Sequence, residues 1–504
     1  MLASVATFAI EGIESREVTV EVDLRRGLPV FTIVGLPDRA VREARERVRA
    51  ALLNSGLEFP LQRLTANLAP ANVRKAGPSF DLALAIAVLA ASEQLPADEV
   101  ARYAVSGELS LSGALRSAYG AVAVAAGARR AGYSRLVVPV EDAPEAALID
   151  GIEVVGVESL ERLVALLRGE WAPEPVVPAR PAERVAEGPD LSEVRGQADA
   201  RRALEIAAAG GHNLLMVGPP GVGKTMLARR MPGILPPPTH DEAVEITQVL
   251  SVAGLGNGRL ASRRPFRAPH HTISASGLVG GGNVPRPGEI TLAHRGVLFL
   301  DELAEFSRPA LEALRQPLEQ EHVEVMRGQR TIRFPAAAML VGACNACPCA
   351  RTDGECTCNE ADRARYHRRL SGPLLDRIDI VCPLGRVPLA TVGPGDPAAE
   401  GSASVRERVV AARERQLARL AGTGVTCNAG MDARLTRRHV RIGPELGDRL
   451  GAAACVGALT ARGHDRVLRL ARTIADVEGA ERVGSQHLDE ALSYRLGTRA
   501  AVAA

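Results

Sequence analysis

The sequence predicts an α/β protein with three successive domains: an α+β domain first, a core built on a parallel sheet next, and a helical domain at the end. The chain has 504 residues, which is enough for about three domains. Short apolar runs that alternate with amphipathic helical patterns indicate layers of strands and helices. Pro- and Ala-rich stretches divide the chain into residues 1–168, 190–392 and 405–504, joined by linkers at 169–189 and 393–404.

The composition is that of an ordinary globular protein, with 46% hydrophobic and 24% charged residues. The net charge of +2 excludes a global field that would attract nucleic acid, so any such binding must be local. Met1–Glu11 lacks the pattern of a signal peptide, and the most apolar run, Leu82–Ser92, is too short to span a bilayer. We therefore expect a cytoplasmic protein without a membrane partner.

The first domain is predicted to contain both strands and helices. Apolar residues at helical spacing predict an amphipathic helix over Asp38–Ser55, whereas Asp81–Ala91 is apolar all round and is predicted to be a buried helix. The apolar face of the first helix is formed by Val41, Ala44, Val48 and Leu52. The predicted strands are Glu17–Asp23, Phe31–Val34, Leu136–Val140 and Ile152–Val155.

A strand, a glycine-rich loop and a helix follow one another from residue 213. Asn213–Val217 has the apolar character of a buried parallel strand, and Gly218–Thr225 matches the P-loop pattern G-x-x-x-x-G-K-[ST]. Lys224 can reach the β- and γ-phosphates of ATP, and the Thr225 hydroxyl can bind Mg²⁺. Backbone N–H groups of the loop can surround phosphate oxygens. The predicted nucleotide-binding residues are Gly218, Pro219, Pro220, Gly221, Val222, Gly223, Lys224 and Thr225.

A second apolar strand, Val297–Leu300, ends at two carboxylates. Ligands of α/β proteins bind at the carboxyl ends of parallel strands. Asp301 would therefore hold Mg²⁺, and Glu302 would orient and polarise the attacking water. A strand end with a helix cap is the structural alternative, but the position downstream of a P-loop favours the functional interpretation.

Three further segments complete the middle domain. By composition, Phe266–Ser274 and the glycine-rich run after it form an insertion too flexible for a core element. Val323–Arg333 alternates as a hairpin does, with Arg327 to Arg330 at its tip. Phe334–Asn345 predicts a third apolar strand that ends in a polar residue.

Five of the eight cysteines lie between Cys344 and Cys358. In a reducing compartment this crowding indicates a metal or free thiols rather than disulfides. Four thiolates brought together by a hairpin could bind one structural Zn²⁺ tetrahedrally, and metal-free cysteines are the equally weighted alternative. The candidate zinc ligands form two C-x-C pairs, Cys347 with Cys349 and Cys356 with Cys358.

The last domain is predicted to be helical. Helical patterns cover Val405–Leu420, Val456–Val477 and Gln486–Arg495. A group of helices after a P-loop core is typical of a lid over the nucleotide.

The front domain resembles the Lon-protease-type domain of the ComM/YifB proteins. Lys75-Ala-Gly-Pro-Ser-Phe-Asp81 is similar to Lon's K-x-G-P-S loop, which puts Ser79 at the nucleophile position. A peptidase of that type needs a lysine base, and the matching region, Gly113–Ala126, contains none. We therefore predict a non-proteolytic relative. Lys75 would be a structural contact, or a phosphate or partner contact; a lone exposed lysine is usually just solvated.

The rest of the chain resembles AAA+ ATPases of the Mg-chelatase/ComM group, which carry a helix-2 insertion and a pre-sensor hairpin in this order. The resemblance to the ComM/YifB family thus covers nearly the whole chain. It places Asn345 at the sensor-1 position, where the family contacts the γ-phosphate or its water. It also places Arg462, in a helix that begins T-x-R, as a sensor-2 contact to the γ-phosphate from the lid.

The same resemblance assigns an arginine finger. Ser371–Asp379 matches the family's L-L-D-R-[FI]-D, so that Arg377 would stabilise charge on the ATP of the neighbouring subunit. This role requires a ring, and the family forms hexamers. A salt bridge of Arg377 with Asp376 or Asp379 is the alternative.

The resemblance implies a DNA motor, with branch-migration helicase activity in homologous recombination or natural transformation. Arg327 and Arg330 at the hairpin tip would line the pore and hold phosphates of branched or single-stranded DNA without reading bases. A solvated turn is the alternative for the tip. A second candidate is a Mg-chelatase-type motor subunit for Mg²⁺ insertion into porphyrin, although such subunits lack the front domain. The missing lysine base disfavours an ATP-dependent protease.

Overall fold

A computed structural model describes most of the chain. The described residues are 1–73, 75, 77–179, 188–256, 258–282, 285–327, 330–351, 356–370, 372–386, 400–455 and 459–503. Much of both predicted linkers therefore lies outside the described residues, as do Gly328 and Gln329 of the predicted hairpin tip.

The chain forms two units. The front unit comprises Met1–Glu183, Thr239–Ser262 and Met326–Arg333, and the second unit comprises Arg184–Pro238, Arg263–Val325 and Phe334–Ala504. Two segments of the predicted middle domain thus belong to the front unit, and the predicted lid belongs to the same unit as the P-loop.

The front unit is built on a seven-stranded mixed sheet. Glu14–Arg25 runs antiparallel to both of its neighbours, and the other adjacent strands are parallel. From one edge to the other the strands are Val30–Val34, Arg63–Ala69, Glu14–Arg25, Leu2–Glu11, Tyr103–Val105, Arg135–Pro139 and Glu153–Val157. The four predicted strands are confirmed. Leu2–Glu11 was not predicted, because five consecutive residues in its middle are buried and the alternation is lost.

Helices cover the front sheet, and the two that were predicted are confirmed. Every residue of Asp81–Ala91 is buried. In Arg39–Asn54 the predicted apolar face is buried, and the Asp38 carboxylate caps the helix by accepting from the Val41 backbone N–H. The other helices of residues 1–179 are Ala97–Val100, Ala121–Arg130, Ala143–Ala146 and Leu160–Leu167, and a small hairpin pairs Glu108–Leu109 with Leu115–Arg116.

One further helix of the front unit, His240–Val252, comes from the middle of the chain and was not predicted. It starts at a capping box in which Thr239 and Glu242 exchange side-chain and backbone hydrogen bonds. The Gln248 side chain donates to the Ile13 carbonyl oxygen at 2.6 Å. This segment therefore acts as a structural part of the front unit.

The second unit is built on a five-stranded sheet in which all adjacent strands are parallel, as predicted. In order the strands are Phe266–Arg267, Val297–Leu300, Met339–Cys344, Leu214–Val217 and Ile380–Pro383. Two predictions were wrong in detail. Phe266–Ser274 is not a flexible insertion throughout, because its first two residues pair with Val297 and Leu298 as an edge strand. The third predicted strand begins at Met339 rather than Phe334, since Arg330–Pro335 completes the hairpin with His322–Arg327.

The helices of the second unit include the C-terminal ones, which share one hydrophobic core with the sheet. Val409, Val467 and Leu488 pack in the same buried cluster as Leu214 and Val341. The C-terminal helices are Ser402–Arg419, Ala433–His439, Pro444–Cys455, Ala461–Val477 and Ser485–Ala503. The earlier ones are Ala198–Gly210, Lys224–Ala228, Met231–Ile234, Ala275–Val279, Glu289–Leu292, Arg308–Ala313, Pro317–Gln320, Glu360–His367 and Gly372–Leu375. Across the described ranges, no helix combines the length and apolar character needed to cross a bilayer.

Candidate functional site

The predicted phosphate loop, Gly218–Thr225, joins Leu214–Val217, the fourth strand of the second sheet, to a short helix. Gly223 has a φ of 94°, in the left-handed region that glycine tolerates best. A Cβ on Gly218 would lie 2.4 Å from the carbonyl oxygen of Leu384, so a larger residue would displace backbone there. The loop conformation therefore depends on the glycines that the motif requires.

Lys224 is 8% exposed, and its ammonium lies at the centre of the predicted site. It donates to the carbonyl oxygens of Gly218 and Pro219 at 2.6 and 2.9 Å, and to the Asn345 side-chain oxygen at 3.1 Å. Burial lowers the pKa of this ammonium from its ordinary value. The structure thus brings the P-loop lysine and the predicted sensor asparagine into direct contact.

The two predicted magnesium ligands also meet. The Thr225 hydroxyl donates to the Asp301 carboxylate at 2.6 Å. The other oxygen of Asp301 accepts from the backbone N–H of Glu302 at 3.0 Å. A hydroxyl and a carboxylate are hard oxygen ligands of the kind Mg²⁺ prefers, so this pair fits the ion.

Glu302 has a partner that the sequence did not indicate. The backbone of Glu302 is left-handed, with φ of 51°, which is uncommon for a residue other than glycine. His271 Nδ1 lies 3.2 Å from Glu302 Oε2, and the imidazole ring packs edge-on against Phe306. Glu302, which was predicted to orient the attacking water, is therefore contacted by a residue of the segment that was predicted to be an insertion.

Arg377, the predicted arginine finger, and Arg462, the predicted sensor-2 contact from the lid, both contact one carboxylate, Glu319. Arg377 is buried, its Nη2 lies 2.5 Å from Glu319 Oε1, and its Nε donates to the Arg315 carbonyl oxygen. Arg462 is 70% exposed and donates to the same Glu319 oxygen at 3.2 Å. Arg377, with a lesser contribution from Arg462, lowers the pKa of Glu319. Glu319 lies in no recognisable motif, so sequence reasoning missed it.

Asp379, which the sequence considered as a partner of Arg377, belongs to another cluster. It accepts from Arg466 at 2.9 Å and from the Asn213 backbone N–H at 3.1 Å, and His212 lies 3.6 Å away. Burial by itself would raise the pKa of Asp379, but Arg466 and His212 hold it well below its usual value.

The predicted DNA-binding residues flank the hairpin tip: Arg327 is the last residue of the first strand, and Arg330 is the first residue of the second. Their side chains lie outside the described part of the structure. The backbone therefore supports a hairpin, and the role of its tip stays a prediction.

The four candidate zinc ligands cluster, with all four sulfur atoms within 4.8 Å of one another. Cys347 Sγ lies 3.3 Å from Cys349 Sγ and 3.6 Å from Cys356 Sγ, and the Cys349 and Cys356 sulfurs are 3.6 Å apart. The cysteines are free of disulfides. The sequence motif therefore corresponds to one four-sulfur group.

In the front unit, Lys75 is fully buried rather than solvated. Its ammonium donates to the Pro70 carbonyl oxygen, and its own carbonyl accepts from the Asp38 backbone N–H at 3.0 Å. Ser79 lies in the short 3₁₀ turn Pro78–Phe80 and is partly exposed. The burial of Lys75 corrects the expectation of an exposed side chain and supports a structural contact.

Three family models match consecutive parts of the chain. Residues 190–392 match "Magnesium chelatase, subunit ChlI", and residues 399–495 match "Magnesium chelatase, subunit ChlI C-terminal". Residues 20–142 of the front unit match "Subunit ChlI of Mg-chelatase".

Similar proteins extend over the whole chain. The chain is 43% identical to the YifB protein of Escherichia coli over 500 residues, covering 98% of this chain and 97% of that one. It is 41% identical to the competence protein ComM of Haemophilus influenzae over 504 residues, covering 99% and 98%. The similarity to Lon protease 2 of Bacillus subtilis is weaker, at 28% identity over 141 residues and 26% of each chain.

Proposed function

Because the chain belongs to the magnesium-chelatase-like family that includes the YifB and ComM proteins, we propose that it is a ring-forming ATP-driven DNA motor. The members of this family are AAA+ ATPase-like proteins, which supports ATP hydrolysis as the reaction. One observation supports ATP hydrolysis most strongly. At the carboxyl edge of one parallel sheet, Lys224 contacts Asn345 and Thr225 contacts Asp301.

Each of these residues has a defined task in the proposed reaction. Lys224 would bind the β- and γ-phosphates once it leaves the loop carbonyls, and Asn345 would contact the γ-phosphate or the attacking water. Glu302 would orient that water and accept its proton. Mg²⁺ held by Thr225 and Asp301 would neutralise phosphate charge. A structural Zn²⁺ at the four cysteines is part of the proposal.

The ring part of the proposal concerns Arg377 and Arg462. An arginine finger must bind the phosphate oxygens of the neighbouring subunit's nucleotide. Within one chain, Glu319 is the acceptor for both arginines. We propose that the nucleotide of the adjacent subunit takes over this acceptor role for Arg377 in a homo-hexamer, so that Arg377 acts as the finger. Arg462 would contact the γ-phosphate from the lid.

The DNA part of the proposal concerns the hairpin between His322 and Pro335. Similarity to a competence protein over the full chain supports a role in handling incoming DNA. We propose branch migration during homologous recombination or natural transformation, with Arg327 and Arg330 binding phosphates of branched or single-stranded DNA. Such contacts would be tolerant of sequence and sensitive to salt.

A second candidate is a motor subunit that drives Mg²⁺ insertion into porphyrin. It is favoured by the descriptions of the family models, which name a magnesium chelatase subunit for each of the three parts. The front unit does not argue against the chelatase subunit, because residues 20–142 also match a family model that is described as a Mg-chelatase subunit.

The decisive experiment measures ATP turnover of the full chain alone, with branched DNA, and with protoporphyrin. We expect DNA to increase turnover and Arg327→Ala/Arg330→Ala to remove that increase while basal turnover stays. The double variant should also lower the salt dependence of DNA binding. Arg437→Ala/Arg438→Ala removes the same charge from an exposed helix end and should behave as wild type. Stimulation of ATP turnover by protoporphyrin and not by DNA would contradict the DNA-motor proposal and support the chelatase subunit.

A further inference from the structure

The four cysteine sulfurs are spaced as ligands of a single ion. A tetrahedral ion with sulfur ligands at the usual Zn–S distance separates the sulfurs by about 3.8 Å, whereas a disulfide joins them at about 2.0 Å. The closest separations here are 3.3, 3.6 and 3.6 Å. All six pairs stay within 4.8 Å, although the ligands come from two separate C-x-C pairs.

Hydrogen-bond donors surround these sulfurs. The Cys349 sulfur accepts from the backbone N–H groups of Arg351 and Thr357, and the Cys356 sulfur accepts from the Cys358 backbone. The Arg363 guanidinium donates to the Cys356 sulfur at 3.5 Å. Donors of this kind orient metal-bound thiolates and offset their charge. Four thiolates on Zn²⁺ carry a net charge of about −2 after four protons leave, so the nearby guanidinium is favourable.

The cluster directly follows the predicted sensor residue. Asn345 comes one residue after the strand Met339–Cys344, and Cys347 comes two residues after Asn345. The backbone of Asn345 also meets the hydroxyl of buried Tyr366, which lies in the helix after the last two cysteines. The loop that presents Asn345 to Lys224 is thus fixed at one end by the sheet and at the other by the cysteines.

From this placement we propose that Cys347, Cys349, Cys356 and Cys358 bind one Zn²⁺ that positions the Asn345 side chain at the P-loop lysine. The zinc would have no open coordination position and would not touch the nucleotide. Its effect on hydrolysis would pass through the short segment between Asn345 and Cys347. The coupling, unlike the metal site itself, rests on the proposed ATP hydrolysis.

The metal site is tested on the full chain, purified without chelator and with a mild reductant. Elemental analysis should find one zinc per chain, and Cys356→Ser should lose it. Cys427→Ser, a substitution of a partly exposed cysteine outside the group, should keep it. Cobalt substituted into wild-type protein should give the visible spectrum of a tetrahedral four-thiolate site. Zinc-free wild-type protein with four reactive thiols and no such spectrum would overturn the site.

The coupling is tested by steady-state kinetics of ATP hydrolysis. Cys356→Ser lies outside the Asn345 loop and should lower kcat by roughly tenfold or more, with a smaller change in KM. Asn345→Ala should have a similar effect, and the double variant should be no slower than Asn345→Ala alone, because both remove the same interaction. Removing zinc from wild type by a chelator should lower kcat, and added Zn²⁺ should restore it, which separates the effect from misfolding of a variant.

The outcomes separate the two proposals. Stoichiometric zinc with unchanged kcat in Cys356→Ser would overturn the coupling and leave the metal site. Additive losses in the double variant would also overturn the coupling. Absence of ATP turnover in zinc-loaded wild type would refute the proposed function, while zinc content and the cobalt spectrum would still decide the metal site.

Discussion

The Thr225 hydroxyl and the Asp301 carboxylate lie 2.6 Å apart, which makes the hydroxyl a single-atom test of the magnesium site. Thr225→Val keeps the shape of the side chain and removes the ligand oxygen. We expect it to reduce kcat of Mg²⁺-dependent ATP hydrolysis by roughly a hundredfold. The reason is that Mg²⁺ would lose one of its protein ligands and would no longer be well positioned to neutralise the phosphate charge. The measurement is turnover over a range of Mg²⁺ concentrations.

The matched control is Thr225→Ser, which keeps the hydroxyl and loses only a methyl group. It should retain turnover within a few-fold of wild type. Equal activity of the Val and Ser variants at limiting Mg²⁺ would show that the hydroxyl is not a ligand.

Other single residues show where motif reasoning is limited. The P-loop identifies Lys224 because phosphate binding imposes a local pattern of residue types and spacing. Nothing local identifies His271 or Glu319, since each acts through a partner more than thirty residues away in sequence. A pair of histidines in a loop was the one available signal for His271. Contacts of this kind become visible when the chain is folded.

At the scale of elements, Asp379 fastens the last strand of the second sheet to the C-terminal helices. It precedes Ile380–Pro383 and pairs with Arg466 in the helix Ala461–Val477. Asp379→Ala would remove the carboxylate that pairs with Arg466, whose side chain is only 15% exposed, so we expect the unfolding free energy of the second unit to fall by about 3 to 5 kcal/mol. Denaturant unfolding followed by circular dichroism measures it.

The effect should depend on pH in a direction fixed by the lowered pKa of Asp379. A carboxyl with a depressed folded pKa stabilises the fold above its unfolded pKa of about 4, and the contribution is lost as the pH falls toward the folded value. The difference between wild type and Asp379→Ala should therefore shrink below about pH 4. Asp489→Ala breaks an exposed pair with Arg449 and should cost about 1 kcal/mol or less. An equally small loss of unfolding free energy for Asp379→Ala would show that the Asp379–Arg466 pair does not stabilise the second unit.

Element prediction succeeded where one face of a strand or helix is buried. Arg39–Asn54 and Glu14–Arg25 have the apolar spacing that their burial requires. It failed for Leu2–Glu11, which is covered on both faces, and for Phe266–Arg267, which is too short to show a period. The helix His240–Val252 has its own capping box, but its sequence does not say which unit it joins.

At the scale of the whole molecule, the proposed ring can be tested by mixing two inactive chains. Glu302→Gln lacks the base and keeps the finger, whereas Arg377→Ala lacks the finger and keeps the base. Mixed in equal amounts before assembly, they should form complete seams at about a quarter of the interfaces. We expect ATP turnover to rise well above that of either variant alone, toward about a quarter of wild type.

The matched control replaces Glu302→Gln by the double variant Glu302→Gln/Arg377→Ala, which supplies no finger to any seam. This mixture should stay inactive. Equal activity of the two mixtures, or a chain that stays monomeric with ATP and Mg²⁺, would refute hydrolysis at a shared interface.

The sequence by itself determined the chemistry that depends on neighbours along the chain: the phosphate loop, the acidic strand end and the paired cysteines. These patterns are readable because strand, loop and helix impose local spacing. Only the tertiary structure decided that Asn345 contacts Lys224 and that the four cysteine sulfurs lie close together. It also decided that Glu319 pairs with both Arg377 and Arg462. Such contacts join residues far apart in sequence, and packing of the whole unit, rather than any local preference, selects them.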